Sequence, residues 1–290
     1  MKKFFKTIER GIARVRQYAL TQSILTKYGQ QSVVERYRNH SAESGPIGET
    51  CPIWVCWWQG ETQMPDIVKV CYQSIQKHAC KHPVVLLTSE NEHEYLKIPE
   101  NIRRKYLENK ISRTHYSDIA RMYLLKEHGG IWIDITNFLT QDIDGFVDTS
   151  LDYWTYRHIT SYNNVSQGLW TSFFSASGKN HLIPSYIYDS LIHWWSGNDK
   201  IIDYLLMDFI FKIGYDRIPA FRAEIDRIPL MPIGTFRKAL CKKYNPEEWD
   251  YYFKQAGFHK LSYKKYTDQR TKKGELTHYG HLIAHFLHEG

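Results

Sequence analysis

Three charged side chains near the middle of the sequence, Asp118, Arg121 and Asp134, have types and spacing that suit a binding site. Residues three apart on a helix are neighbours, so Asp118 and Arg121 would present a carboxylate and a guanidinium at a fixed separation. Such a pair can bind hydroxyl groups, and a lone carboxylate such as Asp134 suits a hard divalent cation. The alternatives are a surface ion pair of less than about 1 kcal/mol and an aspartate that only caps a turn.

The residues around Asp134 predict the elements that position these side chains. Ser117 is predicted as the N-cap of a helix that ends at Gly129-Gly130, because glycine adopts the left-handed conformation easily. The run Ile131–Ile133 then predicts a buried strand, with Asp134 at its carboxyl end and Thr136 on the same side of an extended chain. Ligand sites in open α/β sheets lie beyond the carboxyl ends of strands, which favours a functional Asp134.

Two earlier segments extend this pattern to an alternation of strands and helices. Strands are predicted at Cys51–Gly60, which contains the apolar run Ile53–Trp58, and at Pro83–Thr88. An apolar stripe predicts a helix between them at Pro65–His78. This alternation is typical of a parallel sheet with helices outside it. Trp57 and Trp58 leave the first strand on opposite faces, so we expect one to stack on a nucleotide base and the other to lie in the core.

The second half of the chain continues the pattern less regularly. Further strands are predicted at Tyr153–His158 and Leu169–Ala176, followed by amphipathic helices, of which the last is at Ile201–Ile213. This helix carries Asp203 and Asp208 among apolar residues, where a carboxylate is costly unless it is paired. Asp203 could therefore bind an acceptor hydroxyl, or it could cap a turn or pair with a lysine.

Composition and charge restrict the class of protein. The chain has 290 residues and is 42% hydrophobic, which suits one large domain or one domain with an appendage. Residues 1–40 contain nine Lys or Arg and two Glu, so their charge of +7 equals that of the whole chain. This distribution argues against a nucleic-acid-binding protein. It indicates a basic helical arm that either contacts an anionic membrane surface or packs on the domain with a solvated face.

Cysteine usage and the absence of several known motifs narrow the classes further. Five cysteines without a Cys-x-x-Cys pair indicate a reducing compartment. No apolar run is long enough for a spanning helix, and the basic start lacks the apolar stretch of a secretory signal, so we expect a cytoplasmic protein. Phosphate-binding loops, Gly-x-Gly-x-x-Gly, His-Glu-x-x-His and Gly-x-Ser-x-Gly do not occur, which disfavours kinases, dehydrogenases, zinc proteases and α/β-hydrolases.

Three runs of sequence carry a resemblance to a known family. They are IWVCWWQG, ISRTHYSDIARMYLLKEHGGIWIDIT and HKLSYKK, and together they cover roughly residues 50–265. In these runs the chain resembles the capsular polysaccharide synthesis protein family, a bacterial relative of certain mannosyltransferases and of the sugar-transferase domains of large clostridial toxins. The resemblance implies a GT-A fold, a nucleotide-sugar donor, a divalent cation (Mn²⁺ or Mg²⁺) and retention at the anomeric carbon.

The resemblance also implies a role for each candidate residue. Asp118 and Arg121 match an Asp-x-x-Arg that holds the donor sugar, and Asp134 matches the first carboxylate of an Asp-x-Asp. The other matches are a base-stacking Trp57 or Trp58, a late metal ligand at His259 and a diphosphate-binding Lys264. Thr136 departs from the wider superfamily, which has a second Asp there. The implied metal ligands are therefore Asp134, Thr136 and His259, with water or Asp142 as possible substitutes.

These observations predict an α/β protein with a GT-A-like (Rossmann-like), mostly parallel sheet flanked by helices and an N-terminal helical arm. The arm and its linker are expected at 1–48, and a single transferase domain at 49–290. Within that domain, 49–150 is expected to bind the nucleotide sugar and 151–290 to face the acceptor.

The predicted function is a metal-dependent, retaining glycosyltransferase that moves a hexose from a nucleotide-diphosphate sugar, with a UDP-sugar favoured. Its acceptor would be a glycan or lipid-linked glycan of the bacterial surface, reached at the inner face of the membrane. Asp118, Arg121 and Asp203 are the expected catalytic residues. Two alternatives are a non-catalytic carbohydrate-binding protein, which Thr136 would favour, and an inverting transferase with Asp203 or Asp208 as the base.

Overall fold

The computed structural model describes residues 2–40, 44–159 and 164–287. The strands are β1 Ile53–Cys56, β2 Val84–Leu87, β3 Gly130–Ile133, β4 Asn137–Leu139, β5 Tyr153–Thr155, β6 Phe174–Ser177 and β7 Phe258–Lys260. The helices are α1 Lys2–Thr26, α2 Gln30–Arg38, α3 Asp66–Lys77, α4 Glu92–Tyr95, α5 Glu100–Leu107, α6 Arg113–Glu127, α7 Leu182–Gly197, α8 Leu206–Arg217, α9 Pro219–Asp226, α10 Pro246–Gln255 and α11 His278–Leu287.

Five of the described strands form one mixed sheet in the order β2-β1-β3-β6-β5. β1 runs parallel to β2 and to β3, with Trp54 opposite Val85 on one side and opposite Trp132 on the other. β5 and β6 are antiparallel, and β4 pairs with β7 in a separate antiparallel sheet. The predicted fold class, an α/β protein with a mostly parallel sheet flanked by helices, is confirmed.

The chain divides into two compact units, and each is assembled from three stretches of sequence. The first unit contains residues 1–47, 95–130 and 151–230, and the second contains residues 48–94, 131–150 and 231–290. The predicted boundaries were consecutive ranges, with an arm followed by two halves. Within each unit, segments far apart in sequence pack together, and the functional division into the predicted ranges stays a prediction.

In the first unit, the second part of the basic arm packs as a core element. Ile24 and Val34 are fully buried, and α1 and α2 lie against α8 and α7. The Gln30 side-chain amide donates to the Ser190 carbonyl oxygen over 2.8 Å, which joins α2 to α7. The arm is therefore anchored to this unit through its carboxyl-terminal part. Within the described residues, no helix has both the length and the apolar character that crossing a bilayer requires.

Helix α6 begins five residues earlier than the sequence predicted. Its N-cap is Ser112, whose hydroxyl oxygen accepts from the His115 backbone N–H over 3.3 Å. Ser117 lies inside the helix, and its hydroxyl donates to the Arg113 carbonyl oxygen over 2.8 Å. The predicted cap at Ser117 is therefore wrong, because an earlier serine makes the capping contact and the helix continues through Ser117. The predicted stop is confirmed, since Gly129 has a φ of +68°.

In the second unit, the apolar stripe of α3 forms much of the core. Ile67, Val70 and Ile75 are buried, as the helical spacing predicted. The Ser74 hydroxyl oxygen accepts from the Leu139 backbone N–H over 3.0 Å, so a side chain of α3 satisfies the backbone of β4. This contact fixes β4 on α3, and β4 pairs in turn with β7.

We expect Gly129→Ala to lower the thermal unfolding midpoint by several degrees. A Cβ at this position would lie 3.0 Å from the Lys179 nitrogen and 3.1 Å from the Ser177 oxygen, and the left-handed backbone adds a cost of about 1–2 kcal/mol. Gly274→Ala is the matched control, because Gly274 has a φ of +82° with nothing within 4 Å of the added carbon. A midpoint for Gly129→Ala equal to that of the control would contradict the close backbone contact.

Candidate functional site

Asp134 lies in a tight turn that directly follows β3. The Asn137 backbone N–H donates to the Asp134 carbonyl oxygen over 2.9 Å, and the Asn137 side-chain amide donates to the same oxygen over 2.8 Å. The expectation that Thr136 continues an extended chain is therefore wrong, because the backbone turns between β3 and β4. Asp134 itself stands at the carboxyl end of its strand, as the sequence predicted.

Both oxygens of the Asp134 carboxylate accept hydrogen bonds. The Trp132 indole N–H donates to Oδ1 over 2.9 Å, and the Lys260 ammonium donates to Oδ2 over 2.8 Å. The side chains of Asp134 and Lys260 are 29% and 28% exposed, so the ion pair is partly shielded yet open to solvent on one side. The carboxylate is thus oriented from both sides, and Lys260 places a positive charge beside it.

The pairing of β4 with β7 brings Lys260 to Asp134. Lys260 stands opposite Asn137 in the antiparallel register, and the Leu261 backbone N–H donates to the Thr136 carbonyl oxygen over 2.8 Å. The sequence reasoning missed Lys260 as a site residue, although it lies in the HKLSYKK run. The available signal was its basic side chain within that run, two residues after the apolar Phe258.

Trp57 and Trp58 behave as the alternation at the end of β1 predicts. Trp58 is buried, whereas Trp57 is partly exposed and meets the Tyr263 ring edge-on, with centroids 5.4 Å apart. Because β1 and β3 are adjacent and parallel, Trp57 and Asp134 follow carboxyl ends at the same edge of the sheet. Lys264 is exposed, with its ammonium 5.4 Å from the centre of the Tyr263 ring.

In the first unit, Asp118 and Arg121 form a buried ion pair on α6. The Arg121 guanidinium lies 3.6 Å from the Asp118 carboxylate, and the two residues are only 5% and 9% exposed, respectively. Arg121 also donates to the Ser172 carbonyl oxygen. The alternative of a solvated surface pair is therefore excluded, because both side chains are buried. A buried charge must be held by specific partners.

Asp208 lies near this pair and is also held by a specific contact. Its Oδ1 accepts from the Trp170 indole N–H over 3.0 Å. Burial raises the pKa of the Asp208 carboxyl, while the Trp170 hydrogen bond and the positive charge of Arg121 act in the opposite direction. Asp118, Arg121 and Asp208 thus form a charged cluster within the first unit.

Asp203 lies in the turn before α8 and not within the helix that the sequence predicted. One of its carboxylate oxygens accepts from the Leu205 backbone N–H over 3.0 Å, and the other lies 2.9 Å from the Arg16 guanidinium. These contacts match the structural alternative, a turn cap with a basic partner. A role with an acceptor hydroxyl would require Asp203 to leave the Arg16 ion pair.

Comparison of the chain with known protein families gives a match. The model of the capsular polysaccharide synthesis protein family matches residues 1–282. The chain belongs to this family. No curated protein matches it.

Two solved structures are similar to this member of the capsular polysaccharide synthesis family at low identity. One is the PaToxG glycosyltransferase, with 16% identity and a TM-score of 0.47 over 73% of this chain and 83% of that chain. The other is a glycosyltransferase involved in the glycosylation of the major capsid of PBCV-1, with 13% identity and a TM-score of 0.40 over 82% of this chain and 98% of that chain. The predicted family is confirmed, and the mostly parallel sheet agrees with the predicted GT-A-like class.

His259 is a structural residue in this family member. Its ring is completely buried, Nδ1 accepts from the Phe236 backbone N–H over 3.4 Å, and Nε2 donates to the Tyr252 carbonyl oxygen over 2.8 Å. Burial lowers the pKa of His259 to about 4. The predicted role as a metal ligand does not fit this geometry, because both ring nitrogens are already used inside the second unit.

The remaining donor atoms do not fit a divalent cation held by the protein. Asp134 is in an ion pair with Lys260, Thr136 offers a neutral hydroxyl, and Asp142 accepts from the His78 ring over 2.8 Å. In the described ranges no group of three or more His, Cys, Asp or Glu side chains could hold a metal ion. The predicted ligand set of Asp134, Thr136 and His259 is therefore not assembled.

We expect His259 to make the folded protein less stable as the pH falls from 6.5 to 4. The unfolded ring takes up a proton below its ordinary pKa of about 6.5, whereas the folded ring stays neutral until about pH 4. Relative to His259→Gln, the wild type should lose up to about 1.4 kcal/mol of unfolding free energy per pH unit in this window. Urea unfolding of both proteins at pH 7, 6 and 5 measures the difference. Parallel pH dependence would show that the ring titrates normally in the fold.

Proposed function

We propose that this protein is a glycosyltransferase that moves a hexose from a nucleotide-diphosphate sugar, with a UDP-sugar favoured, to a glycan or lipid-linked glycan of the bacterial surface. Membership in the capsular polysaccharide synthesis family supports the predicted enzyme class and the acceptor class. The observation that carries the proposal is the edge of the sheet where Trp57 follows β1 and Asp134 follows β3. An aromatic face and fixed charges at that edge suit a nucleotide diphosphate.

Each candidate side chain has a proposed role that suits its surroundings. Trp57 stacks on the base, because it is the partly exposed member of the tryptophan pair. Asp118 and Arg121 bind donor sugar hydroxyls, because their buried ion pair fixes a carboxylate and a guanidinium with little freedom. Lys264 contributes positive charge toward the diphosphate. Positive charge in place before the reaction stabilises the leaving diphosphate as the glycosidic bond breaks.

The proposed stereochemistry is retention, as the resemblance implied, and we assign no nucleophile. An inverting reaction would need a general base near the acceptor. Burial raises the pKa of Asp208, which is a property that suits a base, but this carboxylate is bonded to Trp170. The anomeric configuration of the product, read by NMR, distinguishes the two outcomes.

The second candidate function is a carbohydrate-binding protein that keeps the fold without catalysis. The neutral Thr136 beside Asp134 favours it, because the turn carries one carboxylate only. Thermal-shift titrations with UDP-sugars, GDP-sugars and glycans show which of these ligands binds, since a ligand that binds the folded state raises the unfolding midpoint. Stabilisation by sugar nucleotide together with hydrolysis of the donor supports the transferase. Stabilisation by glycans alone supports the binding protein.

We expect Asp118→Asn to reduce kcat/KM for donor hydrolysis by about 100-fold or more, because a charged contact to the donor is lost where the bond breaks. The assay is release of nucleotide from a panel of UDP- and GDP-sugars. Asp216→Asn is the control, because Asp216 forms an exposed pair with Lys212 on α8 at 2.6 Å. Wild-type hydrolysis by Asp118→Asn, with an unchanged circular dichroism spectrum, would overturn the proposed role.

We also propose that the first part of α1 lies on an anionic membrane surface at the cytoplasmic face. Ile12, Val15 and Tyr18 recur on one face of the helix and are 65%, 69% and 67% exposed. The sequence around this apolar row is strongly basic, since residues 1–40 contain nine Lys or Arg against two Glu. An apolar face bordered by positive charge is the pattern of a helix that binds anionic lipid.

The double variant Ile12→Ser with Val15→Ser should bind vesicles of phosphatidylserine and phosphatidylcholine at least about tenfold more weakly. The reason is that each apolar side chain contributes about 1.5–3 kcal/mol when it is fully buried in the lipid interface. Cosedimentation at low and high salt is the measurement, and wild-type binding should fall at high salt. Leu107→Ser is the control, because Leu107 is 67% exposed on α5 outside the basic arm. Equal loss in both variants would argue against a specific lipid-binding face.

A further inference from the structure

We propose that the Lys260 ammonium, held by Asp134, is the cation that neutralises the donor diphosphate, so that nucleotide binds without a divalent metal. This inference rests on the proposed nucleotide-sugar function and concerns how that donor is held. It assigns a binding role to a lysine that the sequence reasoning did not select. Asp134, Lys260 and Trp57 all belong to the second unit.

The charge balance at the turn supports this role. The turn carries one carboxylate, Asp134, followed by the neutral Thr136, and the Lys260 ammonium lies 2.8 Å from that carboxylate. A divalent cation at the same oxygens would stand beside the Lys260 ammonium and be repelled by it. A divalent cation together with the ammonium would exceed the one negative charge that this turn supplies.

The lysine is held in place before any ligand arrives. Lys260 is the last residue of β7, and its strand is bonded to β4 in register with Asn137. The next residue is also fixed, since the Leu261 N–H donates to the Thr136 carbonyl oxygen. The Trp132 indole holds the other oxygen of Asp134. The ammonium therefore costs little to order when an anion binds.

The segment after Lys260 leads to the proposed base site. Tyr263 follows three residues later and its ring meets Trp57 edge-on. Lys264 extends over the Tyr263 ring from the next position. The stretch 260–264 thus carries a lysine at Asp134, an aromatic ring at Trp57 and a second lysine beside that ring. This order of charge and aromatic surface matches a nucleotide diphosphate, in which phosphates adjoin the base-bearing nucleoside.

The exposure of Lys260 and its N–H donors support an anion as the ligand. The Lys260 side chain is 28% exposed, so a dissolved anion can reach it without opening the fold. An ammonium has three N–H donors, so one group can donate to a carboxylate and to a bound anion at the same time. The carboxylate orients the ammonium and remains beside it, so the Lys260 ammonium meets solvent at a fixed point.

The test is calorimetric titration of UDP, and separately GDP, into the full chain in EDTA and in MnCl₂. The wild type should bind in EDTA with a Kd within about threefold of its value in Mn²⁺. Lys260→Met should raise the Kd in EDTA at least tenfold, and Mn²⁺ should restore much of this loss because Asp134 is released to ligate the metal. Adding Asp134→Asn to Lys260→Met should remove that rescue. Lys260→Arg should keep binding in EDTA.

The control is Lys243→Met, which breaks an exposed ion pair of the same 2.8 Å length with Glu275 in the same unit. It should leave the Kd unchanged, and thermal midpoints of all variants report on folding. Wild-type binding that requires Mn²⁺, with no effect of Lys260→Met, would overturn the inference and leave the transferase proposal standing. No binding of either nucleotide by the wild type under any condition would overturn both.

Discussion

The ion pair between Asp134 and Lys260 is the contact on which the candidate site depends. It joins a turn after β3 to the end of β7, and these residues are 126 positions apart in the chain. A partly exposed ion pair alone adds little stability, so its value lies in orientation and not in folding energy. The backbone pairing of β4 with β7 supplies the stability, since that ladder and its support on α3 fix where both charges stand.

The first unit handles charge in a different way. Asp118 and Arg121 are almost fully enclosed, and removal of either would leave a buried charge without its partner, which typically costs several kcal/mol. A buried ion pair of this kind is explained either by a functional role of its fixed geometry or by the contacts around it. The contact of Arg121 with the Ser172 carbonyl and the nearby Asp208 show that α6 is tied into its unit through polar groups as well as apolar ones.

The general architecture could be predicted from the sequence because it follows from local pattern. Apolar runs bounded by turn residues predicted β1 and β2. Gly129 predicted the end of α6, because glycine adopts the left-handed backbone conformation easily in any sequence. The site was predicted less completely. The choice between Ser112 and Ser117 as N-cap depends on which hydroxyl reaches a backbone N–H, and spacing alone does not decide that. Lys260 and His259 are neighbours in sequence, yet the register with β4 places Lys260 beside Asp134 and His259 in the core.

The distance along the chain between β4 and β7 also bears on how the protein is made. During synthesis Asp134 leaves the ribosome long before Lys260, so the carboxylate spends an interval with no ammonium to orient it. Closing so large a loop is slow compared with forming local helices, because the entropy of the intervening chain must be overcome first. The contact between Asp134 and Lys260 therefore forms late in folding, and a nascent chain with most of its helices formed would still lack this ion pair.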